Sequence, residues 1–558
     1  MMDHKSLETV IRYHDRTKHQ HNRYAIGPGY LDWANQPNPF RRFEGTKLIP
    51  LPPILEDTSP LFIDIFEPKA VSSKLVSPES LSRFFELSLA ISAWKQIQDS
   101  RWALRANPSS GNLHPTEGYL VVNNIAGIHS APGVFHYAPK EHGLELRTDF
   151  STEIWSMLTE GFPDGVFFVG LSSIHWRESW KYGERAFRYC QHDVGHALGA
   201  LRISAASLGW QLVLLEGLSD SNIIELLGLS KKNGFDDVEE EHPDLVAAIL
   251  PTRKSDEIPL VINPSALHKV ANGTWNGKAN SLSLKHVEWS IIDEVATASL
   301  KPESKGKTKL PKSASVDWGN LTTDFRRKGA TARRIIRQRR SAVAFDGTTS
   351  ISASEFYAIL SLTQSRPTGK FPPWDTISWP ASIHFVLFVH RVRDLPPGLY
   401  FFNRNPNDTK ILRHNLSPNF KWEKPKSCPP EIDFRLLSEG NCQEFANQAS
   451  CGQEIAGQGA FSLGMIARFR YHLQEKGAWF YRRLFWESGV VGQMLYLAAE
   501  LVGVRGTGIG CYFDEPIHDI LGLPDREFQS LYHFTIGGPV EDTRLTTLPA
   551  YKWEANLS

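Results

Sequence analysis

Apolar residues recur at helical spacing in SPESLSRFFELSLAISAW (77–94) and SASEFYAILSLTQ (352–364). Each run has a Ser at its start and an acidic residue in the first turn, so each predicts a helix. GYLVVNN (118–124) and HFVLFVH (384–390) are short and β-branched or aromatic, which predicts buried strands. FRYCQHDVGHALGALRISAASLG (187–209) and YRRLFWESGVVGQMLYLAAELVG (481–503) are long and rich in Ala and Leu. Both end at a Gly, as core helices with a glycine C-cap do. HFTIGGP (533–539) suits a last strand.

These elements come in pairs. Gly170, Gly183, Gly195, Gly209, Asp220 and Gly228 recur as Gly464, Gly477, Gly489, Gly503, Asp514 and Gly522, each 294 positions later. Arg188/Arg482, Ala205/Ala499 and the Leu-Gly-Leu triplets at 227–229 and 521–523 hold the same offset. PGVFHY (132–137) echoes PGLYFF (397–402) upstream. A constant offset over some sixty residues means two copies of one α+β domain, helices packed around a mainly antiparallel sheet. We place domain 1 at 1–260, a linker at 261–320 and domain 2 at 321–558. KPESKGKTKLPKSASV (301–316) lacks apolar periodicity and reads as exposed linker. Tandem copies mimic a two-fold dimer, with any site lying between them.

Charge and composition narrow the classes. Lys+Arg and Asp+Glu are both 61, so no basic field exists for nucleic acid. Apolar stretches such as IHFVLFVH (383–390) are strand-sized and too short to span a membrane. MMDHKSLETV carries no secretory core region, and the five cysteines are odd in number without a CxxC pair. A cytoplasmic protein with reduced thiols is the expectation.

Three segments carry chemistry. NPSSGNLHPTE (107–117) concentrates hydroxyls, an amide and Gly-freed backbone, either as a plain Asx/Ser turn or as a cradle for a planar heteroaromatic ligand. RRIIRQRRSAVAF (333–345) sets Arg339, Arg340 and Ser341 before an extended stretch, a solvated basic face or a phosphate grip that Arg544 could close. GVRGTGIGCYFD (503–514) follows a helix with GxGxG spacing, so it is a glycine turn that lets backbone approach a ligand and not a dinucleotide fingerprint. Lys181-Tyr182 offers two groups with ordinary pKa near ten, tunable to base or acid work, or a surface Lys beside a packing Tyr. His192 and His196 stand at i and i+4 as in zinc-protease helices, but their repeat partners are Trp486 and Val490. We expect no metal.

Together with YHDRTKH (13–19), LDWANQPNPFR (31–41), WKYGERAFRYCQHDVGHA (180–197) and LLEGLSD (214–220), these segments resemble the nitroreductase superfamily of FMN enzymes, specifically its SagB/ThcOx-type branch. The resemblance implies one composite FMN site: phosphate on Arg339, Arg340, Ser341 and Arg544, the ring edge on Pro108, Ser109, Ser110 and Asn112, and the backbone of Gly508, Ile509 and Gly510 beside the flavin. Copy 2 has WPASIH (379–384) where copy 1 has PSSGN, so the opposite site, formed by Arg16 and Glu216-Gly217, is expected to be degenerate. The resemblance further implies that Lys181 and Tyr182 remove a ring proton while a thiazoline or oxazoline is oxidised to an azole; copy 2 has Glu475-Lys476 there. The expected substrate is a heterocycle-containing peptide or small molecule, with O2 reoxidising the flavin. An NAD(P)H-dependent nitro- or quinone reductase and a non-catalytic flavin-binding protein are the alternatives.

Overall fold

The same strand order is built twice in the computed structural model, which describes residues 4–252, 257–365, 369–523 and 526–556. In the first half the sheet runs Leu48–Pro50, Gly143–Asp149, Gly133–Ala138, Thr116–Val122, Phe167–Ser173, His242–Leu250, Gln211–Leu214. In the second it runs Phe434–Glu439, Gly398–Phe402, Ile383–Val389, Phe461–Ala467, Gln529–Gly537, Arg505–Ile509. Apart from the added edge strand Leu48–Pro50, the orders correspond strand for strand, and every pairing is antiparallel. The 294-residue register survives into the helices: His175–Tyr182 corresponds to Phe469–Lys476, and Asp220–Leu227 to Asp514–Leu521. The chain is thus two nitroreductase-like α+β halves.

Between the sheets lie the central helices Ala186–Ser207 and Phe480–Val502. Every residue of the first is buried, and of the second all but Glu500. A helix with no wet face belongs in a core. The two cross where their repeated glycines meet. A Cβ on Gly195 would lie 2.2 Å from the Trp486 carbonyl oxygen and 2.8 Å from Gly489 Cα. One on Gly489 would lie 2.2 Å from the His192 oxygen and 2.8 Å from Gly195 Cα. Because His192 and Trp486 are themselves repeat partners, the pseudo-two-fold axis passes between these glycines. The main apolar core is continuous across both halves, whereas each outer sheet face has its own smaller cluster. The halves meet as a dimer interface would.

Arms exchanged between the halves reinforce the contact. Helix His4–Arg16 brings His14 against Tyr481 and Gln529. In return, Thr546–Leu548 adds a strand to Ile91–Ile97, and the Tyr551 hydroxyl reaches the Pro139 carbonyl. Ser77 and Ser352 cap their helices with capping boxes, as their sequence pattern predicts. The helix expected over 77–94 is shorter than that, however. It stops at Glu86, and Ile91–Ile97 is instead the middle strand of a small sheet, between Ser100–Arg105 and the C-terminal arm. Segment 261–320, set aside as a linker, carries helices Pro264–Ala271 and Ser290–Ala298, and Lys307–Lys309 pairs with Glu257–Pro259. Most of 301–316 is exposed, with Lys301, Leu310 and Val316 buried. Among the described residues, no helix is long and apolar enough to cross a membrane.

Candidate functional site

A cavity of about 450 Å³ opens between the halves, within the usual range for small-molecule sites. One wall belongs to the first half: Pro108, Ser109, Ser110, Gly111 and Asn112, with Tyr182 and Asp193 behind them. The facing wall belongs to the second half: Arg339, Arg340 and Ser341 beside Gly508, Ile509 and Gly510. The three segments singled out from sequence therefore converge across the pseudo-dimer interface.

The first wall is a tight turn. Gly111, Asn112 and His114 all take positive φ (57°, 59° and 52°), a conformation the side chains of the turn hold in place. Ser109 Oγ accepts the His114 N–H at 2.8 Å, and Asn112 Nδ2 donates to the Ala103 carbonyl at 2.9 Å. Ser109 and Asn112 thus shape the turn as well as line the cavity. Ser110 donates its N–H (3.1 Å) and hydroxyl (3.2 Å) to Asp193 in the central helix. Burial pushes the Asp193 carboxyl up to about 7, against the pull of its bonds from Ser109 and Ser110. Burial, with Asp193 nearby, likewise raises the Glu178 carboxyl well above its usual range.

Helix His175–Tyr182 brings Lys181 and Tyr182 to this turn, and of the two Tyr182 lines the cavity. The Tyr182 hydroxyl lies 2.6 Å, and Lys181 Nζ 3.2 Å, from the point a Cβ on Gly111 would occupy. Only a glycine fits there. Lys181 Nζ stands 5.3 Å from the Tyr182 ring centre. Burial, then the charges of Glu178 and Tyr189, hold the Tyr182 phenol well above its usual range, so it stays protonated.

On the second wall, Ser341 pairs with Gly506 as a parallel bridge, and the Ala342 N–H reaches the Gly506 carbonyl at 3.1 Å. Tyr496 joins the two segments: its hydroxyl lies 2.8 Å from Ser341 Oγ and accepts the Gly508 N–H at 2.8 Å. The glycines answer to tyrosines here. A Cβ on Gly508 would strike the Tyr532 hydroxyl at 2.0 Å, and one on Gly510 the Tyr189 ring at 2.4 Å. The Tyr189 hydroxyl, from the first half, donates to the Gly510 carbonyl at 3.0 Å and so pins the walls together.

One end of the cavity is strongly cationic. Arg339 is buried and donates to the Arg105 carbonyl at 3.0 Å, while Arg340 donates to the Arg337 carbonyl at 2.8 Å. Arg105, unmarked in the sequence reading, supplies a third guanidinium. Burial lowers it to about 10, and Arg340 is lowered to about 10 by burial and by Arg339. Three crowded, desolvated cations favour an anion. Two residues of the cavity lining, Arg105 and Asn107, also hold buried polar atoms without a hydrogen-bond partner, Nε and Oδ1 respectively. Arg544 is not brought here. Its side chain is exposed and ion-paired with Asp542 at 2.7 Å, although the next residue, Leu545, lines the cavity.

The HDVGH histidines serve packing and hydrogen bonding. His192 stacks on Tyr532 (centroids 4.3 Å apart) and His196 Nε2 lies 3.2 Å from the Tyr532 hydroxyl. Among the described residues, no cluster of three or more His, Cys, Asp or Glu side chains could hold a metal ion. The acid between the histidines, Asp193, is the residue of that motif that reaches the cavity turn.

At the pseudo-symmetric position the side chains differ. Glu487 stands for Asp193 and is satisfied by Trp379 Nε1 (3.1 Å), the Ser382 N–H (3.0 Å) and Arg404 (2.7 Å). Arg483 stands for Tyr189, stacks on Trp486 (3.7 Å to the ring centre) and pairs with Glu216 at 3.1 Å, where the first site has Gly510. Arg16 is not assembled with Glu216; it pairs with Glu184.

Residues 69–235 match the family described as the nitroreductase family. A putative nitroreductase of Methanocaldococcus jannaschii is 26% identical over 152 residues, covering 26% of this chain and 74% of that one. The crystal structure of a putative nitroreductase from Anabaena variabilis superposes with a TM-score of 0.67 at 21% identity, covering 95% of this chain and 99% of that one. The chain therefore carries a nitroreductase-family domain in its first half. It shares its two-half architecture, over nearly its whole length, with a solved nitroreductase-like structure.

Proposed function

We propose that the protein is an FMN-dependent oxidoreductase of the azoline-dehydrogenase kind, converting thiazoline or oxazoline rings to azoles. The observation that carries this reading is the Lys181-Tyr182 pair beside Gly111 of the Pro-Ser-Ser-Gly-Asn turn, Tyr182 lining the cavity whose other wall is cationic and glycine-lined, and Lys181 reaching the same glycine from outside that lining. The residues present fit FMN. Arg105, Arg339 and Arg340 suit its phosphate, and the unpartnered Asn107 Oδ1 offers a polar partner for the rest. Bound there, FMN would supply a two-electron acceptor.

The chain's own residues divide the remaining work. Tyr182 keeps its proton, so it is suited to donate a hydrogen bond that orients the heterocycle. The base role falls to Lys181, whose amine, when neutral, takes the proton from the ring carbon. Asp193, pushed up to about 7, lies behind the turn as a buried carboxyl able to hold a proton near neutrality, and burial raises its neighbour Glu178 well above its usual range. Tyr189 and Tyr496 keep the walls in register.

Anaerobic mixing tests the reading. Oxidation of a model thiazoline, with no bleaching of the flavin by NADH or NADPH, is the expected result. Rapid bleaching by a nicotinamide without azoline oxidation would instead assign a nitro- or quinone-reductase activity. Failure of both donors would leave a flavin-binding protein.

A further inference from the structure

Two cysteines meet at the edge of the cavity, and the chemistry above uses neither. Cys511 follows Gly510 and lines the cavity wall; Cys451 lies in the turn after helix Gln443–Ala449. Their thiols act on each other, Cys451 drawing the Cys511 thiol down and Cys511 pushing the Cys451 thiol up, and both are partly exposed. The two backbones run side by side. The Phe513 N–H donates to the Ala449 carbonyl at 2.9 Å, and Gln453 Nε2 lies 2.8 Å from both the Ser450 and Cys511 carbonyl oxygens.

A histidine completes the group. His19 is pinned by its backbone N–H to Asp514 at 2.9 Å, and its ring acts on the Cys511 thiol, drawing it down. Its Nδ1 accepts the Ala25 N–H at 3.0 Å, so the ring proton resides on Nε2, the nitrogen free to donate to sulfur. Arg185, which reaches the Gly510 carbonyl at 3.4 Å and lies 4.8 Å from the Tyr512 ring centre, adds positive charge behind the thiol.

We propose that Cys451 and Cys511 form a reversible dithiol–disulfide centre in the cavity wall, oxidised by low-molecular-weight disulfides, with Cys511 as the attacking thiol. The Cys511 thiolate attacks one sulfur of the external disulfide; that S–S bond breaks, a mixed disulfide forms and one thiolate leaves. Cys451, losing its proton to solvent, then attacks Cys511 Sγ, closes the internal S–S bond and expels the second thiolate. One external disulfide is reduced to two thiols while the protein dithiol is oxidised by two electrons. The asymmetry follows from the surroundings. Cys451 and His19 hold the Cys511 thiol below its usual range, while Cys511 and partial burial hold the Cys451 thiol above. This inference does not depend on the flavin reading.

Protein as purified is equilibrated without oxygen in glutathione buffers of rising oxidised fraction, quenched in acid, alkylated under denaturing conditions and mapped by mass spectrometry. The expected result is joint loss of two of the five alkylatable thiols, as a 451–511 crosslink that dithiothreitol reverses. Cys451→Ser is expected to trap one glutathione on Cys511. In Cys511→Ser, Cys451 is expected to react no faster than Cys442, the other partly exposed thiol. Five alkylatable thiols in wild type at every buffer ratio would overturn the proposal, with no variant needed. So would glutathionylation of Cys442 ahead of Cys511.

Discussion

Lys181→Ala is expected to lower azoline turnover by about 10²- to 10⁴-fold, the range a positioned general base contributes. The side chain approaches Gly111 and the Tyr182 ring, while the cationic end of the cavity lies with Arg105, Arg339 and Arg340. Flavin content should therefore survive the substitution while turnover falls. Tyr182→Phe keeps the ring that packs on Tyr189 and removes the hydroxyl, so its loss should be smaller and should appear partly in KM. Steady-state kinetics on a flavin-loaded preparation separates these outcomes. A Lys181→Ala protein that oxidises azolines at the wild-type rate would remove the base from this account.

Gly195→Ala is expected to destabilise the protein strongly for a single added methyl. Replacing a mid-helix glycine by alanine ordinarily gains about 1 kcal/mol. Here the new Cβ would lie 2.2 Å from the Trp486 carbonyl oxygen, and backbone cannot rotate away as a side chain can. Overpacking of this kind costs about 1–3 kcal/mol, occasionally more. Because the overlap is with backbone, the cost should reach the upper end of that range and outweigh the helix gain, for a net loss of about 2 kcal/mol. Gly489→Ala should cost the same, since its clash is the mirror image with His192. The double variant should cost less than the sum, because helices already forced apart admit the second methyl. Gly27→Ala, at an exposed site with nothing within 4 Å, should stay within about 0.5 kcal/mol of wild type. Thermal and urea unfolding of the four variants and wild type tests the ranking. Equal stability of Gly195→Ala and Gly27→Ala would show that the central helices do not meet as described.

The 294-residue register was legible because it constrains backbone more than chemistry. Helix ends, strand positions and the axial glycines recur wherever both halves need the same crossing or the same turn, so Gly195 and Gly489 could be found before any coordinates. The three cavity segments were legible for a related reason: each has an unusual density of hydroxyls, guanidinium groups or glycines. What stayed hidden depended on contacts between distant residues. Ile91–Ile97 read as the tail of a helix, yet it is held as a strand by Ser100–Arg105 and by Thr546–Leu548, more than four hundred residues away. Arg105 carries no local motif, and only the sheet places it beside Arg339. Arg544 fits a phosphate grip by residue type, but Asp542 two positions earlier takes its guanidinium at the surface. The GxGxG glycines were expected to make room for a ligand, and the side chains that press on Gly508 and Gly510 are tyrosines from either half.

The two halves have also spent their freedom differently. Around Asp193 the first half keeps small residues and an open cavity, while around Glu487 tryptophans and arginines fill and neutralise the corresponding place. A homodimer with identical subunits would carry two equal sites; a fused chain need not. The proposed function puts one flavin site on each chain, shared between the halves. Its most direct test is the molar ratio of FMN to protein after reconstitution with excess FMN and removal of unbound cofactor, read from absorbance and from flavin released on denaturation. The account predicts one FMN per 558-residue chain. Two per chain would contradict it, and so would none.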